Sequence, residues 1–276
     1  MEDTDYALGR NDDEYARLIE QAVLLRPLTE RMLQAAGLSA GMRVLDVGCG
    51  VGDVSFLVSE MVGPEGSVVG VDLDADALSV AELRRASLRV SNVAFHQGDV
   101  RAAESNRLFD AAVGRFVLMY MRDATGVLRQ IAERVRPGGV VAFCEWCARP
   151  TTTASASDQP ALAWLQHALA ETFRRSGANL EIGTELFGRM RDAGLEPDPS
   201  PLAEIAVRMD DPETAYRRWK SFARSMLPKM IEYGITTEQE ALNLIEFQLR
   251  DELTRPGTFV PLSWLTIGQT AHKPAP

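Results

Sequence analysis

Over the first 146 positions, apolar residues fall into two alternating patterns. Short unbroken runs are separated by longer stretches in which apolar residues recur every third or fourth position. The runs are Arg43–Val47, Ser67–Asp72, the start of Asn92–Val100 (a strand and its exit loop), Phe109–Arg115 and Val140–Trp146. A nearly continuous run of Val, Ala and Leu is what a strand buried on both faces requires. Helical spacing fills the gaps, from the glycine-rich stretch before Asp53 to about Met61, from Asp74 to about Ser87, and from Ala124 to Val135. Turn residues divide the elements, among them Gly63-Pro64-Glu65-Gly66 and Arg136-Pro137-Gly138-Gly139. Five strands alternating with helices predict an α/β fold, a doubly wound parallel sheet with right-handed crossovers.

Residues 11–36 read as two helices. Leu18, Ile19, Ala22 and Val23 share a face of the first; Pro27 opens the second, which carries Leu28, Met32 and Leu33 and stops at Gly37. This N-terminal helical cap, residues 1–40, either packs on the sheet edge or covers a ligand cleft, with Tyr15, Gln21 or Arg26 reaching in. Beyond the fifth strand, the small polar segment 151–160 is a surface loop or a lid. Helices follow over Pro160–Arg175 and Glu181–Ala193, then a sixth strand over 201–209. Asp211-Pro212 opens a long helix with an aromatic and Met-rich face of Tyr216, Trp219, Phe222, Met226, Met230 and Tyr233. Pro228 is expected to kink it. Thr237 and Glu240 have capping-box spacing and start a helix to about Leu253, and Phe259–Gly268 reads as the seventh strand. Hairpin loops are ordinarily short, so residues 211–256 form a helical insertion, read as a substrate cover on a core of residues 41–210 and 257–276.

The 276 residues suffice for one large domain, or one and a half, with an ample core. The net charge of −10, from 29 basic and 39 acidic residues, argues against a nucleic-acid partner, which ordinarily leaves a basic footprint. The acidic start Met1-Glu2-Asp3-Thr4-Asp5 lacks the basic and apolar regions of a secretory signal. No apolar run approaches the ~20 residues of a membrane span. Three cysteines in a chain of this length fit a reducing compartment, so a cytoplasmic location is expected.

Candidate chemistry begins in the stretch Val44-Leu45-Asp46-Val47-Gly48-Cys49-Gly50-Val51-Gly52-Asp53. A buried strand runs into glycines at alternate positions and then into a helix, whose N-terminus offers free N–H groups to the polar end of a small ligand. In the dinucleotide fingerprint the third glycine would fall at Asp53, and a phosphate loop would require a lysine that is missing here. An acid beside the loop, Asp46, suits a ligand with an ammonium or sulfonium charge better than a pyrophosphate.

This stretch resembles motif I of the class I S-adenosylmethionine (SAM)-dependent methyltransferases. Asp72, the Gly98-Asp99 pair and the Val135-Arg136-Pro137-Gly138-Gly139 turn follow in that family's order and spacing. Residues 40–147 as a whole are similar to the ubiquinone/menaquinone-biosynthesis group, which acts mainly on small molecules. The resemblance implies a seven-stranded sheet of order 3-2-1-4-5-7-6 with strand seven antiparallel. It implies S-adenosyl-L-methionine as cofactor and S-adenosyl-L-homocysteine (SAH) as product. It also implies a set of cofactor contacts. Asp46, Gly48, Cys49, Gly50 and Gly52 surround the polar end, Asp72 accepts from the ribose hydroxyls, Leu73 lies against the adenine, and Asp99 and Val100 stand at its edge. Arg115 meets the cofactor carboxylate or, alternatively, a substrate anion.

The implied reaction is an in-line displacement at an already activated methyl group, so proximity and a water-poor site suffice and no particular base is demanded. Glu145, Tyr120 and His167 are candidates to position or deprotonate the acceptor. Tyr120 reads equally as packing at a helix start, and His167 as a packed side chain. Cys144 and Cys147 form a C-x-x-C that closes a strand and has no second pair, so no metal or redox role is assigned. Strand four ends in Val113-Gly114-Arg115-Phe116, not the Asn/Asp-Pro-Pro-Tyr loop of DNA and protein methyltransferases. The expected activity is methyl transfer to an O, N or C atom of a small aromatic or lipophilic metabolite, by a monomer or homodimer. The rivals are methylation of protein or RNA, and a protein that keeps the fold for cyclisation or binding without transfer.

Overall fold

The structure is a computed structural model and describes residues 12–100, 107–147, 159–209, 211–255 and 261–275. Strands β1 (Arg43–Val47), β2 (Ser67–Asp72), β3 (Val93–Gln97), β4 (Phe109–Arg115) and β5 (Val135–Trp146) are joined by parallel pairings. Helices α2 (Asp53–Val62), α3 (Ala75–Leu88) and α4 (Ala124–Arg134) alternate with them. The remainder comprises α1 (Asp12–Ala35), α5 (Pro160–Arg175), α6 (Ile182–Asp192), β6 (Glu196–Pro197), β7 (Leu202–Met209), α7 (Pro212–Glu232), α8 (Glu238–Asn243), a π-helical stretch Leu244–Leu249, α9 (Arg250–Leu253) and β8 (Pro261–His272).

The sheet has the order β3-β2-β1-β4-β5-β8-β6, with β7 also paired to β8. β8 runs antiparallel to β5, β6 and β7. The expected order 3-2-1-4-5-7-6 is therefore present, with the sixth strand divided into β6 and β7. Alternation within the strands feeds both faces: Leu45, Val47 and Ala112 enter the core with α4 to α7, whereas Val44, Ala111 and Val113 enter the core with α1 and α2.

Four sequence expectations are corrected. The two N-terminal helices are one, because Pro27 lies within an unbroken α1. Proline deprives Val23 of a hydrogen-bond donor, but Pro27 and Val23 both face solvent, so water can satisfy that carbonyl. The Arg136–Gly139 stretch, read as a turn, lies inside β5, which begins at Val135, while α7 contains Pro228 without interruption. The last strand extends to His272 instead of ending at Gly268. The predicted capping box is formed, with Thr237 and Glu240 accepting each other's backbone N–H. The segment 151–158, read as a possible lid, lies outside the described residues.

Candidate active site

A cavity of about 220 Å³ lies along the carboxyl ends of the five parallel strands, the position that the crossovers of a doubly wound sheet leave open. Its first wall is the loop between β1 and α2. Gly48, Gly50 and Gly52 all have positive φ (68°, 51° and 89°), a region costly for any residue with a Cβ. A Cβ on Gly48 would meet Val117 Cγ2 at 2.3 Å, and one on Gly52 would meet the Phe56 ring at 2.8 Å. A Cβ on Gly50 would meet nothing within 4 Å. Gly50 therefore leaves its backbone open to the cavity, and the other two glycines let the loop pack.

Asp72 closes the second wall at the end of β2. Its two oxygens accept the N–H groups of Gly50 (2.7 Å) and Asp74 (2.9 Å). Burial raises its pKa, and those backbone donors oppose the rise. Asp74 caps α3 through Asp76 and Ala77 and accepts the Tyr15 hydroxyl at 3.0 Å. This bond ties α1 to the loop after β2. From α3, Arg84 donates to the Val51 carbonyl and to Asp53, holding the far side of the glycine loop.

The opposite end of the cavity is aromatic. Tyr120, Trp146, Phe173 and Phe222 line it, and Phe173 has ring centroids at 5.7 Å from Trp146 and 6.4 Å from both Tyr120 and Phe222. Phe173 comes from α5 and Phe222 from α7. Above them α1 contributes Glu14, Arg17 and Gln21. The Arg17 guanidinium lies 5.1 Å from the centre of the Phe222 ring and bonds both Glu14 oxygens and Gln21. One cavity thus carries a glycine loop with acidic residues at one end and an aromatic box at the other.

A family model described as a methyltransferase domain matches residues 38–194. The chain belongs to the class I SAM-dependent methyltransferases. Among curated relatives of the chain, the phosphoethanolamine N-methyltransferase 1 of Triticum aestivum is 31% identical over 125 residues, covering 45% of the chain and 24% of the relative. The demethylmenaquinone methyltransferase of Lactococcus lactis is 32% identical over 116 residues, 42% of the chain and 46% of the relative. The chain thus spans less than half the length of these two relatives. Among solved structures, a phosphoethanolamine N-methyltransferase 2 of Haemonchus contortus in complex with S-adenosyl-L-methionine aligns with a TM-score of 0.53 at 18% identity. It covers 90% of the chain and 52% of that protein, a likeness of fold.

Of the residues expected around the cofactor, Gly48, Cys49, Gly50, Asp72, Leu73, Asp99, Val100 and Arg115 line the cavity. Asp46 and Gly52 do not. Asp46 is buried behind the loop, where one oxygen accepts the Ser55 hydroxyl at 2.6 Å. Burial pushes its pKa up to about 7. Arg115 is held by a bond to the Thr29 hydroxyl at 2.9 Å, and burial lowers its pKa.

The three acceptor-side candidates separate. Tyr120 lines the aromatic end. His167 is exposed on α5, on the side away from Leu165 and Leu169, and does not reach the cavity, which removes it as a base. Glu145 is also corrected: it is fully buried under the cavity wall, where Oε1 accepts the N–H of Val117 (3.0 Å) and Leu118 (2.8 Å). Burial raises its pKa to about 7. Tyr15 and Gln21 line the cavity as anticipated for a cap, whereas Arg26 pairs with Glu60 on the surface. Glu14, Arg17 and Trp146 were not singled out in the sequence. The helical spacing of Glu14, Arg17, Leu18 and Gln21 is the one signal that points to the first two.

Proposed function

We propose that this chain transfers the methyl group of S-adenosyl-L-methionine to an O, N or C atom of a small aromatic or lipophilic molecule. The observation that carries this reading is one continuous cavity with a cofactor-type loop at one end and four aromatic side chains at the other. The residues fit the cofactor: Gly50 faces open space, with nothing within 4 Å of where a Cβ would stand, and Asp72 presents a carboxylate that accepts backbone N–H groups from Gly50 and Asp74. In this reading Gly48, Cys49, Gly50 and Arg115 hold the amino-acid end, Asp72 the ribose, and Leu73, Asp99 and Val100 the adenine.

When bound, S-adenosyl-L-methionine supplies a methyl group already activated by its sulfonium. The protein's own contribution is then alignment and dryness. Tyr120, Trp146, Phe173 and Phe222 stack against the acceptor's apolar surface and exclude water. α1 and α7 cover the cavity, consistent with a substrate-cover role for residues 211–256. The Arg17–Glu14 pair, whose side chains are 10% and 1% exposed, keeps a polar contact at the roof. The named relatives act on a phosphoethanolamine and a demethylmenaquinone, and the aromatic box favours the flatter kind of acceptor. Among the described residues no helix is long and apolar enough to cross a membrane. The proposed setting is the cytoplasm, with a free small molecule as partner and no nucleic acid, as monomer or homodimer.

The test incubates the chain with methyl-labelled cofactor and, separately, the small-molecule, protein and RNA fractions of an extract of the source organism, beside a calorimetric titration of S-adenosylhomocysteine. Label entering a low-mass compound is the expected result. Label in protein or RNA, or tight SAH binding with no transfer to any fraction, would overturn the reading.

A further inference from the structure

Glu145 does not reach the cavity, yet its carboxylate is held where the cavity is built. It projects from β5, which is fixed on both sides by β4 and β8. Its Oε1 accepts the N–H groups of Val117 and Leu118, the first donors of the short 3₁₀ turn Leu118–Tyr120. Such donors have no partner within their own turn. The turn also starts under strain, because Phe116 has φ 56°, the left-handed region that an aromatic residue rarely adopts.

This small segment supplies much of the cavity wall. Phe116, Val117, Met119 and Tyr120 all line it. Val117 stands directly against the glycine loop, so closely that a Cβ on Gly48 would overlap it. The turn therefore touches the donor-side loop at one residue and presents Tyr120 to the aromatic end three residues later. Its ends are anchored by backbone bonds, Phe116 N–H to the Cys144 carbonyl (2.9 Å) and Asn179 N–H to the Met119 carbonyl (2.8 Å). Between these anchors the Glu145 carboxylate holds the strained step.

We propose that Glu145 is a positioning residue that holds the Phe116–Tyr120 turn in its strained shape, and so fixes the acceptor wall at the separation from the glycine loop that in-line transfer needs. This rests on the methyltransferase reading. The hold depends on an acceptor oxygen at the reach of a glutamyl side chain, which glutamine keeps and aspartate, one methylene shorter, does not.

The experiment compares Glu145→Gln and Glu145→Asp with the unaltered chain. SAH affinity is measured by calorimetry, and kcat and KM are measured with methyl-labelled cofactor and the accepting fraction of the extract. Glu145→Asp is expected to lower kcat by roughly 10- to 100-fold, the scale of a misplacement near 1 Å, with the SAH Kd within about three-fold of the parent. Glu145→Gln is expected to restore kcat to within about three-fold. An unchanged kcat in Glu145→Asp overturns the proposal, as does a Glu145→Gln as slow as Glu145→Asp. If Glu145→Asp does not fold, Glu145→Gln decides alone. Near-parental kcat with slowly exchanging Val117 and Leu118 amides supports the hold, and a ten-fold or greater loss at unchanged SAH affinity refutes it. An unaltered chain that binds SAH but transfers no label defeats the methyltransferase reading itself, before any variant is compared.

Discussion

A methyl group added at Gly48, Gly50 or Gly52 meets three different surroundings: Val117 at 2.3 Å, open cavity, and the Phe56 ring at 2.8 Å. Gly48→Ala is expected to cost about 2–3 kcal/mol of stability through overpacking and a strained φ, read as a fall in the midpoint of urea unfolding. Gly50→Val is expected to cost about 1–2 kcal/mol of stability, from φ alone, yet to abolish SAH binding in calorimetry. Retained binding would show that the ligand does not approach the loop there. Asp72→Ala removes an acceptor aimed at the proposed ribose and should weaken SAH by about 10- to 100-fold, the worth of one to two charge-assisted hydrogen bonds. Glu145 adds a pH dependence. Its folded pKa of about 7 stands above the ordinary 4.5, so from about pH 4.5 to 7 the unfolded chain loses a proton that the folded chain keeps. Stability falls as pH rises through that window, by up to about 3 kcal/mol from this group. Glu145→Gln should flatten the fall between pH 5 and 8 in thermal unfolding, and the Asp46 contribution, of the same sign, should remain. At this scale the glycine loop and Asp72 were legible as positions on the cavity, because glycines at fixed spacing and an acid at a strand end report backbone demands, whereas Tyr120 read equally as packing at a helix start. The fate of Glu145 was not. Its position in the chain says that it ends a strand, but only the register of β5 against the turn after β4 shows that it points at two backbone amides and away from the cavity.

Among the elements, β1, β2 and β4 lie at their expected bounds, since uninterrupted apolar runs leave little choice of boundary, whereas β5 begins at Val135, five residues before the expected start, because its exposed Arg136–Gly139 stretch reads as a turn. Boundaries that depend on neighbours were harder to read. Pro27 looks like a helix start, but α1 tolerates it because the orphaned carbonyl faces water. The division of the sixth strand into β6 and β7 follows from pairing with β8, not from a local pattern. α1 is the element with most influence on the cavity. It contributes Tyr15, Arg17 and Gln21 to the wall, and the Tyr15 hydroxyl ties it to Asp74. Tyr15→Phe removes that tie at small cost in stability, about 1 kcal/mol, and is expected to speed SAH release several-fold in stopped-flow displacement. An unchanged release rate would mean that α1 stays closed without it.

For the whole molecule, the fold class and the helical insertion between the last strands could be read from the chain. That the insertion covers the cavity was expected, but which of its residues do so was not legible, because a face of Trp219, Phe222 and Met226 suits any apolar partner. Only the packing of α7 against α1 and α5 brings Phe222 over the cavity while Met226 stays in the core. A ligand spanning this cavity bridges the glycine loop, α1 and the sheet at once, so it should stabilise the entire unit. With SAH at 100 times its Kd the expected gain is about 2.7 kcal/mol, seen as a single shifted thermal transition. A transition in which only part of the signal shifts would mean that the insertion melts separately from the core.

The position of β8 has a consequence for how the chain is made. It lies inside the sheet, hydrogen-bonded to β5 on one side and to β6 and β7 on the other, yet it follows them all in sequence. During synthesis β5 is complete by Trp146, and its outer edge then waits for more than a hundred further residues to leave the ribosome. Through that interval an apolar edge stands open, and β6 and β7 have no neighbour to join. The nascent chain is thus most exposed to mispairing late in translation, and a ribosome stalled in the helical insertion would present a half-sheet to chaperones.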